Sequence, residues 1–185
     1  TRSDGYDAAA AAAREHGFES VERDVGGRAV AYDGETTLAF ARITPVDGVR
    51  GGLDERYDAL SRDVTGALAS LGVDAVEGEP PDSFCPGQHS LRVAGNGKLA
   101  GLAQRVTQGA AITSGVLTVA NHEELAAVLD DVYRALDVPF DPESVGSVAS
   151  AGGPSDPERV HDALEDALVG DREREVVDVS AVVDA

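Results

Sequence analysis

Between Leu53 and Leu71 the apolar residues Leu53, Tyr57, Leu60, Val64, Leu68 and Leu71 recur at helical spacing. This spacing puts a single apolar stripe along a long amphipathic helix, and Gly72 ends it. Nearer the N-terminus, an alanine run from Asp4 to Gly17 predicts a helix, with Asp4 as N-cap and Gly17 as terminator. The pattern then shortens to period two. Phe18 to Asp24, "FESVERD", alternates like a strand, as do Arg28–Tyr32 and Thr37–Ile43, with Asp33-Gly34 as the hairpin turn between them. "VDAVEGEPPDSFCPG" predicts a strand followed by a Pro/Gly-rich loop. Ser90–Val93 and Lys98–Val106 flank "GNG", a second hairpin signal, and Ala110–Val119 follows as a further strand. Asn121 is placed to cap a helix through Leu136, with Glu123 and Glu124 in its first turn. Ser155-Asp156 leads into a helix over Pro157–Val169, and residues 171–185 read as a loosely held tail. Strands and helices in this order predict an α+β fold: a mixed, largely antiparallel sheet packed with helices, forming one domain over 1–185.

Charge narrows the function classes. The formal net charge is −19 and the pI about 4.3. Such an excess repels nucleic-acid phosphates and anionic membranes, so neither is expected as a partner. A disordered acidic chain is excluded by 42% hydrophobic residues with clear periodicity. Of the 15 basic residues only Lys98 is a lysine, and 20 of the 34 acidic residues are Asp. Scarce lysine beside abundant Asp, Ala, Val and Gly resembles proteins of extreme halophiles. No apolar run is long enough for a membrane helix and no signal pattern opens the chain, so a cytoplasmic location is expected. Thr1 in first place and the absence of Met suggest a trimmed product.

The candidate chemistry gathers in "SFCPGQHSLRVAGNGKLAGLAQ". Lys98 stands where Arg would have served any surface role, which points to a site needing a compact ammonium. Cys85 lies in a loop, with Pro86 and Gly87 directly after it. A loop thiol beside a cation is a candidate nucleophile, since a nearby positive charge favours the thiolate. A single cysteine excludes an intrachain disulfide and a CxxC metal site, and no HExxH, GxGxxG or GxxxxGK[ST] pattern is present, so no metal site is expected. Gly26-Gly27-Arg28 allows close backbone approach to a ligand, with Arg28 as an anion clamp. His89 is a candidate base or orienting group for Cys85.

Two segments resemble the lipoate-protein ligase and octanoyltransferase branch of the biotin/lipoate protein ligase superfamily. One is Lys98-Leu99-Ala100-Gly101-Leu102-Ala103-Gln104-Arg105 with the strand after it. The other is "ERDVGGRAVAYDGETTLAFA", with Arg23, Gly26, Gly27, Ala29, Val30 and Asp33 in register. The resemblance implies a core like that of class II aminoacyl-tRNA synthetases and biotin protein ligases, and an acyl group in a tunnel beside the paired glycines. It implies that Lys98 contacts the acyl carbonyl and that Arg23, Gly26, Gly27, Arg28, His89, Gly101 and Gln104 contribute to substrate binding. Cys85-Pro86-Gly87-Gln88-His89-Ser90-Leu91 is similar to the cysteine loop of the amidotransferase branch. That likeness implies an acyl-cysteine intermediate, with no cofactor, in transfer of octanoyl or lipoyl groups to a lipoyl carrier domain. The carriers implied are the glycine cleavage H protein and the 2-oxoacid dehydrogenase E2 component. The alternatives are a lipoate-protein ligase of the same fold, using ATP and Mg, and a non-catalytic acyl-binding module. Gln88 departs from the branch's acidic residue, and the Cys85–Lys98 interval is one residue longer. The family's N-terminal segment has no counterpart ahead of Asp4.

Overall fold

A computed structural model describes residues 5–22, 26–48, 51–95 and 97–178. Among these residues four α-helices and five strands follow in the order α1 (Tyr6–Glu15), β1 (Thr37–Pro45), α2 (Leu53–Ser70), β2 (Val76–Glu77), β3 (Ser90–Arg92), β4 (Lys98–Thr107), β5 (Ala110–Thr118), α3 (His122–Ala135) and α4 (Pro157–Val169). The strands form one sheet in the order β1-β5-β4-β3-β2, and every named pair is antiparallel. A single bridge between Lys98 and Val145 supplies a parallel element. The α+β class and the largely antiparallel sheet are as the pattern predicts.

The sheet buries one face against α2 and α4. Leu60, Val64 and Leu68 of the predicted stripe are 0% exposed there, beside Leu91, Leu99 and Leu117. At roughly 25 cal/mol per Å² of apolar area, each such leucine contributes about 2 kcal/mol. Phe40, Gly115 and Leu102 form one cross-strand row on this face. A Cβ on Gly115 would lie 2.4 Å from Phe40 and 2.6 Å from Leu102, so the two side chains close over the glycine and would have to shift for any larger residue. Arg42 of β1 pairs with Asp63 of α2 at 2.6 Å. A second core forms where α1 and α3 pack together, around Leu125, Val128, Leu129 and Tyr133, with Phe84 and Ala29 against it. The opposite sheet face is open in its β1 half, where Ile43 is 68% and Val116 38% exposed.

Several expectations fail. Residues 18–22 and 28–32 are irregular, not strands. Phe18 N–H closes α1 onto Ala13 O, and Phe18 packs on the α1–α3 core. Ala29 and Ala31 also face that core, so their alternation is satisfied without a ladder. Asp33 accepts the N–H groups of Glu35 and Thr36, a capped turn in place of a hairpin. Asn121 occupies the N-cap of α3 with φ 59°, but its side chain donates to Asp33 and not to the helix. At α1 the cap is Gly5. Asp4, Arg23, Asp24, Asn96 and residues 179–185 lie outside the described residues. Arg174, within the expected tail, pairs with Glu165 and Asp166 of α4.

Candidate active site

The short β2 strand runs beside β3 and delivers Glu79 next to the loop that carries Cys85. On the far side of β3, strand β4 begins at Lys98. The β3–β4 register slips by one residue there: Leu91 opposes Ala100 and Arg92 opposes Lys98, leaving Leu99 extra. This bulge resets the period-two alternation. Lys98 and Gly101, which a regular strand would point to opposite faces, come to the same one. A Cβ at Gly101 would sit 3.6 Å from Lys98 Cε. Gly97, at φ +74°, lets the strand start against the backbone of Ser144 and Val145.

Lys98 is 2% exposed. Its ammonium donates to Glu79 Oε1 and Oε2 at 3.1 and 3.2 Å, to Phe84 O at 3.1 Å and to Cys85 O at 3.0 Å. The Phe84 ring centroid lies 4.8 Å from Nζ, adding a cation–π contact. Glu79 in turn accepts from Ser90 Oγ and, at 3.1 Å, from Gly87 N–H. The cysteine loop therefore folds back over the lysine, and both ends of its turn are fastened to one Lys–Glu pair. A buried charge needs such complete pairing to persist. Cys85 is partly exposed, with φ 39°. Its N–H donates to the Tyr133 hydroxyl at 2.8 Å, and that hydroxyl donates to Ala29 O at 3.0 Å.

The structure thus brings Cys85 and Lys98 together, and links them through Tyr133 to the segment after the paired glycines. Gly26, Gly27 and Arg28 are exposed, and none is a hydrogen-bond partner of the Lys98 ammonium. Gly101 lies beside the lysine stem. His89 and Gln104 are not brought to it. His89 stacks on Tyr57 of α2 with centroids 3.7 Å apart, on the sheet face opposite to Ser90 and Glu79. Gln104 lies six residues along β4, roughly 20 Å at strand rise. Its carboxamide accepts from Arg56 Nε at 2.8 Å and donates to Leu53 O, fixing the start of α2. Arg23 lies outside the described residues.

Three participants were missed in the sequence: Glu79, Phe84 and Tyr133. A lone buried lysine demands a carboxylate, but 34 acidic residues offer no way to choose among them. Tyr133 sits at an apolar position of α3 and reads as core. Among the described residues no helix is long and apolar enough to cross a membrane.

The family profile described as the lipoyl protein ligase A/B catalytic domain matches residues 7–169. The octanoyltransferase LipM of Kyrpidia tusciae is 33% identical over 174 residues, covering 84% of this chain and 62% of that protein. An octanoyl-[GcvH]:protein N-octanoyltransferase of Exiguobacterium sibiricum is 35% identical over 124 residues, covering 65% of this chain and 43% of the relative. The chain thus spans less than two thirds of either relative's length. Among solved structures, lipoate-protein ligase A bound with ATP superposes with a TM-score of 0.69 at 23% identity, over 92% of this chain and 68% of that one. The bipartite lipoate protein ligase system of Thermoplasma acidophilum gives 0.65 at 20%, over 94% and 67%. These likenesses establish the fold, and the profile match over residues 7–169 establishes the kinship: the chain belongs to the lipoyl protein ligase A/B catalytic-domain family.

Proposed function

We propose that this protein carries the acyltransferase chemistry of protein lipoylation, moving an octanoyl or lipoyl group to the lysine of a lipoyl carrier domain by way of Cys85. The observation that carries the reading is the cysteine turn folded onto Lys98, with Cys85 O 3.0 Å from the ammonium. Relatives named as octanoyltransferases support it. In the first step the Cys85 sulfur attacks the acyl carbonyl. The C–S bond forms as the bond to the donor breaks, and the thiol proton leaves with the donor's amine or thiol. In the second step the carrier lysine amine attacks the thioester. The C–N bond forms, C–S breaks, and the thiol is restored. Lys98 supplies the fixed positive charge beside the reacting carbonyl. All of its protons are held by protein oxygens, so it reaches an acyl oxygen by exchanging one carbonyl of the turn. The open sheet face beyond Gly101, with Ala39, Ala103 and Val116 along it, is an apolar bed for the acyl chain. Glycine cleavage H protein and 2-oxoacid dehydrogenase E2 domains are the proposed carriers, and the cytoplasm that holds them the proposed location.

The lipoate-protein ligase reading would add ATP and Mg. Four protein oxygens surround Nζ, so a phosphate oxygen would need the same exchange of a turn carbonyl as an acyl oxygen, and no step is derived through nucleotide. Intact mass spectrometry separates the two. With octanoylated H protein and no nucleotide, the protein should gain one octanoyl mass that hydroxylamine removes, and Cys85→Ala should show neither adduct nor transfer. Normal ATP-dependent lipoylation by Cys85→Ala would overturn the proposal in favour of the ligase.

A further inference from the structure

We propose that Tyr133 is a positioning residue for Cys85, its phenol clamping the cysteine turn to the segment that follows the paired glycines. The inference deepens the transferase reading and rests on it for the meaning of Cys85.

Tyr133 is 1% exposed, on the inner side of α3, tilted against Phe140 with centroids 4.9 Å apart. Its hydroxyl has one proton, which goes to Ala29 O at 3.0 Å, and its oxygen accepts Cys85 N–H at 2.8 Å. The chemistry of the partners fixes these roles: a carbonyl cannot donate and an amide N–H cannot accept. A buried tyrosine needs a partner for its hydroxyl. One carbonyl would satisfy that need, but this hydroxyl spans two loops, each holding candidate residues.

The backbone of Cys85 gives the second observation. Four described non-glycine residues have positive φ: Asp82, Asn121, Asp137 and Cys85. The first three are of types that tolerate the left-handed region, whereas cysteine gains nothing there. Such a conformation persists where the surroundings over-determine it. Lys98 holds the Cys85 carbonyl and Tyr133 holds its N–H, so the peptides on both sides of Cys85 are pinned. The direction in which the thiol leaves the backbone follows from those two bonds. In this arrangement the Cys85 N–H is spent on the phenol and does not serve an acyl oxygen.

Tyr133→Phe, in the full chain, deletes the oxygen and keeps the ring. Two readouts are needed: the rate of Cys85 alkylation by iodoacetamide, and kcat and KM for octanoyl-enzyme formation from octanoylated H protein. The freed turn should speed alkylation several-fold. The kcat for acylation should fall about 10-fold or more, with KM nearly unchanged, because a misplaced nucleophile loses orientation and not binding. Lower thermal stability with alkylation and kcat unaltered would leave Tyr133 as packing only and overturn the proposal; altered alkylation with unaltered kcat would overturn it too. Amide exchange in the unsubstituted protein gives a reading independent of any variant. The Cys85 N–H should be protected like the amides of α3, and exchange as fast as at exposed Gln88 would refute the clamp. If Cys85→Ala still transfers octanoyl groups, the transferase reading fails, while alkylation and exchange still report on the clamp.

Discussion

Lys98 and Glu79 form a pair whose energetics can be taken apart. Lys98→Met keeps the stem and removes the charge. It leaves Glu79, 20% exposed at its side chain, ionised beside two carbonyls that have lost their donor. Glu79→Gln does the converse, leaving the ammonium uncompensated at 2% exposure. Breaking a buried pair from one side costs about 3–5 kcal/mol, because the remaining charge keeps its desolvation penalty without its partner. The cost here should sit at the lower end, since Glu79 keeps Ser90 Oγ and Gly87 N–H and some contact with water. The double variant buries neither charge. It should therefore cost less than the two singles summed, by about 2 kcal/mol. Urea unfolding at one fixed salt concentration is the assay, because a net charge of −19 makes stability depend on salt. A coupling below about 0.5 kcal/mol would place the pair among exposed ion pairs and refute the account of a buried, loop-holding charge.

Two further predictions concern the frame around the site. Gly97→Ala puts a Cβ 2.6 Å from Ser144 O and 2.7 Å from Val145 C at φ +74°. It should cost more than about 1 kcal/mol in unfolding free energy, whereas Gly101→Ala, whose Cβ would have 3.6 Å of room, should cost less; equal losses would refute the steric argument. Asp33 is the acid-sensitive element: burial raises its pKa, but hydrogen bonds from Thr36, Asn121 and Glu35 outweigh this and hold it below its ordinary 3.8. A depressed folded pKa contributes stability that is complete above the ordinary value and is lost as pH falls through the folded one. Asp33→Asn should therefore be less stable than the unsubstituted protein near pH 7, with the gap closing toward about pH 3; a gap constant over that range would rule the linkage out.

The parts of the fold that were legible are those where one physical demand acts alone. The α2 stripe faces one continuous core, shared by the sheet and α4, so period 3.6 reads directly, and Leu60, Val64 and Leu68 are buried as expected. β5 alternates because one of its faces is covered and the other is not. Residues 28–32 alternate for another reason: Ala29 and Ala31 face a helix pair, and period two cannot tell that from a ladder. The Leu99 bulge is invisible in the sequence, and it is what turns Lys98 and Gly101 to one side. Within the site, Lys98 and Cys85 stood out because each is alone of its kind. Glu79 was hidden among acids, and Tyr133 behind the apolar reading of its helix.

The solitary lysine then has a geometric explanation. Arginine meets the need for positive charge everywhere else in this acidic chain, and its planar fork spreads five donors over several ångströms. Under the cysteine turn the four acceptor oxygens converge on one nitrogen, all at 3.0–3.2 Å, in a space 2% open to solvent. An ammonium directs three donors from a single point and matches that convergence. A guanidinium would have to displace the Phe84 ring or the turn itself. The position that keeps a lysine is the one where the charge must be compact, and the carbonyl it holds most closely belongs to the only cysteine in the chain.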